Sequence, residues 1–179
     1  MEHTYALEEK MTTMKQFRWF WDWDDEKEEY WLRAMSNKGW HFQKAELPGF
    51  FTFEQGEPKD IVYRLDYLTD TKNKPDYLQL FLDAGWDYKG EMNGWQYFSK
   101  EVVDGRAPEI FSDPESKVTK YTRLMMRLAI FLPLYIIIFS NNRSPEYEFV
   151  NWIWTILMLF FIYAEVRLLQ RVQELRRKI

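Results

Sequence analysis

Leu124-Met-Met-Arg-Leu-Ala-Ile-Phe-Leu-Pro-Leu-Tyr-Ile-Ile-Ile-Phe139 and Phe149-Val-Asn-Trp-Ile-Trp-Thr-Ile-Leu-Met-Leu-Phe-Phe-Ile-Tyr-Ala164 are two apolar runs. Ser140-Asn-Asn-Arg-Ser-Pro-Glu-Tyr-Glu148 joins them. Each run alone covers about 24 Å as a helix, against the ~30 Å of a bilayer core. Flanking residues extend them to predicted spans over about 121–141 and 148–166. Arg127 and Arg167 can carry their charges to the interface on long apolar stems. A core helix of a soluble protein keeps a polar face. Leu128–Phe139 offers none, and Phe149–Ala164 offers only Asn151 and Thr155. Tyr121, Tyr147, Trp152, Trp154 and Tyr163 lie near the run ends, where aromatic belts form. The reading is a transmembrane helical hairpin, with a kink expected at Pro133.

Charge orients it. Residues 117–127, around the start of the first run, carry Lys117, Lys120, Arg123 and Arg127 with no acid. Residues 166–179 carry Arg167, Arg171, Arg176, Arg177 and Lys178 against Glu174 alone. Positive flanks stay on the cytoplasmic side. Both termini are therefore expected in the cytoplasm of a multi-pass protein of the inner membrane, with the connecting turn outside. Arg127 and Glu165 fall near the same leaflet and form a candidate intramembrane pair.

The rest of the 179 residues is acidic. Residues 1–111 hold 22 acids and 14 bases, and residues 112–179 hold 6 and 10. Nucleic-acid binding needs a basic footprint, so it is excluded for the acidic part. There is no cysteine, hence no disulfide, thiolate nucleophile or cysteine-held metal. The apolar patch Phe17–Trp23 is too short and too charged for a signal peptide.

Local patterns divide the acidic part. Residues 1–13 read as a polar tail. Lys15–Asp22 alternates with period two, as a strand does. Asp24 is an N-cap and Asp25 and Glu26 suit a first helical turn. Trp31, Leu32 and Met35 form the apolar stripe of a helix ending at Lys38. Glu29 and Arg33 are spaced for an i,i+4 pair, and Gly39 is the stop. Strands are predicted over Trp40–Glu46 and Phe50–Glu54, about a Pro48-Gly49 turn.

Shifted by 46, the pattern recurs. Phe17, Arg18, Trp19 and Trp21 fall on Tyr63, Arg64, Leu65 and Tyr67. Trp31, Leu32 and Met35 fall on Tyr77, Leu78 and Phe81. Gly39-Trp40 falls on Gly85-Trp86. The second unit is strand Ile61–Leu68, helix Pro75–Ala84, then strands Trp86–Gly90 and Gly94–Lys100. The expected fold class is α+β: a duplicated βαββ unit, repeats about 15–55 and 61–100, with two helices on a mainly antiparallel sheet. This 14–101 domain would be a relative of the ferredoxin-like fold. A linker (102–111) then leads to a juxtamembrane helix starting at Ser112, the hairpin, and a cytoplasmic helix to residue 179. Leu168, Val172, Leu175 and Ile179 recur at seam spacing. That seam serves either a homodimer or packing on the helix of residues 112–127 in the same chain.

Phe17–Asp25, Gly39-Trp40, Phe53-Glu-Gln-Gly-Glu-Pro58, Val62-Tyr-Arg-Leu-Asp-Tyr67 and Phe111-Ser-Asp113 together resemble the bacterial family called domain of unknown function 2812. The resemblance covers about residues 14–123. It implies a membrane-linked accessory or regulatory protein, often beside a PadR-type transcriptional regulator. The family offers no established activity to carry over.

No catalytic motif stands out. His41 has no evident metal partner, and the acids Asp22, Asp24, Asp25 and Glu26 read as helix-start electrostatics. No metal or cofactor is expected, and the chain reads as a non-enzyme. Aromatic residues are 19% of the chain. Trp19, Trp21, Trp23, Trp40 and Trp86, with Arg18 and Arg64 at equivalent repeat positions, form the candidate ligand or partner surface. The expected function is a membrane-anchored cytoplasmic interaction or sensing module that touches lipid and an unidentified protein. The alternatives are an auxiliary subunit of a transporter and a binding domain for a small lipophilic or cationic ligand.

Overall fold

The computed structural model describes residues 12–69, 72–103, 105, 107–110, 114–141 and 148–177, with the backbone alone at 114–116, 135 and 138–141. Most of the expected tail, Ser112, the turn at 142–147 and Ile179 lie outside the described residues. The elements are β1 (Thr13–Phe17), α1 (Asp25–Ser36), β2 (Trp40–Glu46), β3 (Phe50–Gln55), β4 (Ile61–Tyr67), α2 (Lys74–Asp83), β5 (Asp87–Met92), β6 (Trp95–Glu101), α3 (Pro114–Ala129), α4 (Phe131–Asn141) and α5 (Glu148–Arg176). They form an α+β protein of two compact units. One comprises residues 1–20, 25–65 and 75–108; the other comprises 21–24, 66–74 and 109–179.

The first unit carries two three-stranded sheets, ordered β1-β3-β2 and β4-β6-β5. β1 and β2 both run antiparallel to β3, with Phe42 opposite Phe53. Phe51 and Phe53 alternate inward along β3, and the Trp31 ring meets them at 4.9 and 5.4 Å, edge to face. In the second sheet Phe81 of α2 lies 4.5 Å from Phe98 of β6. Phe42 joins the two halves of the core, 5.9 Å from Tyr63 and 5.2 Å from Tyr97.

The strands thus form two sheets, where the sequence pattern predicted one. The edge strands β2 and β5 come together, yet both are bulged: register slips between Phe42 and Lys44 and between Tyr88 and Gly90. A bulge leaves a residue out of the ladder and bends the strand, which works against a continuous sheet. The skipped residues, Gln43 and Lys89, stand at the same separation as Gly39 and Gly85, both of positive φ (82° and 76°).

Strand β1 stops at Phe17, short of the predicted Asp22, because the chain turns: Asp24 N–H donates to the Trp21 carbonyl at 2.8 Å. Gly39 ends the first helical segment where only glycine fits. Its φ is +82°, and a Cβ there would meet the Gly56 carbonyl oxygen at 2.5 Å.

The second unit is helical. α3 packs on α5 along a seam of Val118, Tyr121 and Leu124 against Ala164, Leu168, Val172 and Leu175. The spacing left two uses open for Leu168, Val172 and Leu175; in the structure they are buried within one chain. α5 has 29 residues and is the one described helix long and apolar enough to cross a bilayer by length and composition. The run predicted over 121–141 is instead divided between α3 and α4, which is 11 residues long. The break falls at Ile130, ahead of Pro133. A proline lacks the N–H that would bond residue i−4, and its ring clashes with that carbonyl. Residue i−4 is Ala129, the last of α3, so Pro133 sits in the first turn of α4, where it is tolerated.

Candidate functional site

Arg18 lies just past β1, and its amide donates to the Gly49 carbonyl at 2.9 Å. Its guanidinium stacks over the Phe20 ring at 5.2 Å and over the Trp31 ring at 5.0 Å. Each contact contributes about 0.5–1 kcal/mol at an exposed site. The rings hold the group in place while its N–H donors make no hydrogen bond to another side chain among the described residues. A cavity of about 540 Å³ opens beside it, lined by Arg18, Glu26, Lys27, Tyr30, Trp31 and Ala34. Lys27, Tyr30 and Ala34 follow at helical spacing on α1 (Asp25–Ser36), off the buried stripe. Two cations against one acid beside aromatic surface suit an anionic group on an apolar body, since a planar guanidinium matches a carboxylate or phosphate. Sequence pattern singled out Arg18 and missed this wall. The signal was there: Lys27, Tyr30 and Ala34 share a face next to the apolar stripe.

Arg64, the repeat counterpart of Arg18, is placed differently. Its Nη1 donates to Glu29 Oε2 at 3.3 Å, and Glu29 Oε1 accepts the Leu65 N–H at 2.8 Å. Glu29 thus serves β4, and Arg33 reaches across to Asp60 in two bonds of 2.6 and 2.7 Å. The predicted Glu29–Arg33 pair is replaced because each has a partner with fixed geometry on another element. The Arg33 bonds hold the Asp60 carboxyl below its usual range, opposed by slight burial. Tyr97 donates to Glu28 at 2.7 Å, so this buried acid ties α1 to β6. Burial pushes the Tyr63 phenol up to about 12, although its oxygen accepts the Phe42 N–H at 3.2 Å.

The tryptophans separate. Trp86 is buried, Trp40 half-buried and Trp19 exposed, all in the first unit. Trp21 and Trp23 belong to the second unit, where their rings stack 5.4 Å apart at 9°. Trp21 lies 5.3 Å from Phe160, and Trp23 lies 5.9 Å from Tyr163, both on α5.

Arg127 donates to the Tyr67 hydroxyl and stacks over its ring at 5.7 Å. Oε1 of Glu165 is buried with no hydrogen-bond partner among the described residues. Nε2 of His41 binds the Glu57 carbonyl at 2.8 Å. No group of three His, Asp or Glu side chains able to hold a metal occurs among the described residues.

A family described as "Protein of unknown function (DUF2812)" matches residues 24–133. No curated protein and no solved structure matches the chain.

Proposed function

We propose that this chain, which belongs to the DUF2812 family, is a membrane-anchored, non-catalytic interaction or sensing module. In this reading its α+β unit lies in the cytoplasm, and two helical spans hold it to the inner membrane, both termini inside. One observation carries it. Only 6% of the apolar window of α5 is buried, whereas a soluble core helix hides most of its apolar surface. Exposed Ile153, Ile156, Leu159 and Ile162 have lipid as their natural solvent. The seam at Leu168 and Val172 then holds the charged ends of α3 and α5 together outside the bilayer.

The first unit is read as a duplicated βαββ element. The matching sheet orders, the bulges at Gln43 and Lys89, and the positive-φ glycines at 39 and 85 support this. A duplicated sheet domain on an anchor offers two related surfaces to a partner.

The chain has no cysteine, so topology can be read with single cysteines. Ser144→Cys is expected to react with an impermeant maleimide in whole cells, and Gln55→Cys only after lysis. The reverse pattern overturns the orientation, and release of the protein by alkaline carbonate overturns the anchor.

The Arg18 cavity favours a second reading, a binding domain for a small ligand. Its lining selects an anion rather than a cation. Saturable quenching of tryptophan fluorescence by an aromatic carboxylate, lost in Arg18→Ala, supports it; equal quenching in both proteins removes it.

A further inference from the structure

The four residues Trp21–Asp24 connect β1 to α1 in sequence, yet they cluster with the helical unit. Their two indoles stack in parallel and reach α5 at Phe160 and Tyr163. Those positions have a definite place on the helix. Phe149–Ala164 carries no charge, and Glu165 and Arg167 follow at once. Tyr163 therefore marks the end of the apolar stretch, and Phe160 lies about one turn, or 5.4 Å, inside it. Trp21, Phe160 and Tyr163 remain 41%, 37% and 54% exposed, so the cluster presents an open aromatic surface at this level.

We infer that Trp21-Asp22-Trp23 is an interfacial loop whose indoles enter the headgroup layer of the bilayer beside α5. Indole combines a large apolar ring with one N–H donor, which suits the boundary between acyl chains and headgroups. The flanking chemistry names the kind of surface. Asp22 and Asp24 follow each indole, and Asp25 and Glu26 come next. Asp22 and Asp24 beside the indoles are repelled by anionic lipid, so the contact rests on burial of the rings among zwitterionic headgroups. The inference depends on the membrane reading above and adds a contact from outside the long helices. It also gives Trp21 and Trp23 a role separate from Trp19, Trp40 and Trp86.

The test uses the full chain in phosphatidylcholine vesicles, with a nitroxide on single cysteines at Trp21, Asp22, Ile156 and Gln55. Collisions with oxygen and with a water-soluble nickel chelate are measured by electron paramagnetic resonance. The expected order of oxygen-to-nickel ratio is Ile156 highest, positions 21 and 22 intermediate, and Gln55 lowest. Asp22→Cys keeps both indoles, so it reports even where Trp21→Cys fails to fold. A label at 22 as nickel-accessible as one at 55, with Ile156 still deep, overturns the loop and leaves the anchor standing. A label at 22 shielded from both reagents also overturns it, since protein then covers the indoles. An aqueous Ile156 overturns the membrane reading itself. Adding phosphatidylserine is expected to leave the ratio at 22 unchanged or lower it; a rise overturns the choice of zwitterionic surface.

Discussion

Arg123 donates to Asp66 at 3.1 Å, and the Asp66 side chain is only 2% exposed, against 23% for Arg123. Asp66 is the penultimate residue of β4, and Arg123 lies on α3. The next residue of β4 repeats the link one helical turn further along α3, since Tyr67 accepts a bond from Arg127. The end of one strand thus grips a helix at two successive turns.

Removing the acid leaves the cation partly buried and uncompensated. Asp66→Ala is expected to cost about 3–5 kcal/mol, read as a lower thermal midpoint in detergent. A double variant, Asp66→Leu with Arg123→Met, is expected to recover most of the loss, because matched apolar groups replace a buried pair well. A double variant as unstable as the sum of the singles argues that the two side chains act separately.

Tyr63 gives a prediction at high pH. Its folded value is raised to about 12 from 10, so its contribution is complete below pH ~10 and is lost as pH rises toward 12. Two units correspond to roughly 2–3 kcal/mol. Tyr63→Phe should therefore show a shallower loss of stability over that window. At neutral pH it should lose about 1 kcal/mol from the missing bond to Phe42. Identical alkaline slopes in denaturant titrations count against the burial argument.

Asp60 gives the opposite sign. Arg33 lowers its folded value, so its contribution is present above the unfolded value of about 4 and is lost as pH falls below it. The pair is well exposed, so solvent screening keeps the effect small. Asp60→Asn is expected to flatten the acid limb of the stability profile slightly and to leave the alkaline limb unchanged. Chemical denaturation between pH 2 and 5 checks this.

Two glycines at matching repeat positions separate backbone strain from collision. An added Cβ at Gly39 meets backbone, the Gly56 oxygen at 2.5 Å, whereas at Gly85 the nearest atom is the flexible Lys100 Nζ at 3.4 Å. Gly85→Ala should cost about 1 kcal/mol, the ordinary penalty for positive φ. Gly39→Ala should cost distinctly more. Equal losses in urea unfolding would mean that the Gly56 segment moves freely.

Much of the first unit was legible because its signals are local. Gly39 and Gly85 ended helices as their left-handed conformations require, and Trp40–Glu46 was placed residue for residue. Periodicity failed where tertiary partners decided the outcome. Lys15–Asp22 alternates like a strand throughout, yet Trp21 and Trp23 leave the sheet for α5. Arg18 and Arg64 look equivalent in the repeat, but among the described residues Arg64 bonds Glu29 whereas Arg18 stacks on the Phe20 and Trp31 rings. Pro133 announced a disturbance. The break lies at Ile130, just past Ala129, whose carbonyl is the one four residues before Pro133. The cavity wall was missed for another reason: Lys27, Tyr30 and Ala34 share a face, but tertiary packing sets their place beside Arg18.

The interruption at Ile130 has a mechanical consequence. α5 is an unbroken rod about 44 Å long, and its hydrogen-bond ladder runs without a joint from Phe149 to the Leu175 end of the seam. The neighbouring α3–α4 path has a joint just inside Arg127. If lipid surrounds both, thinning or thickening of the bilayer tilts the rod as one piece but is taken up at the joint on the other side. The two would then slide against each other along the seam that buries Leu124 and Leu168. On the membrane reading proposed above, this stiff-and-hinged pairing would turn a change in membrane thickness into a small displacement at Arg123 and Asp66.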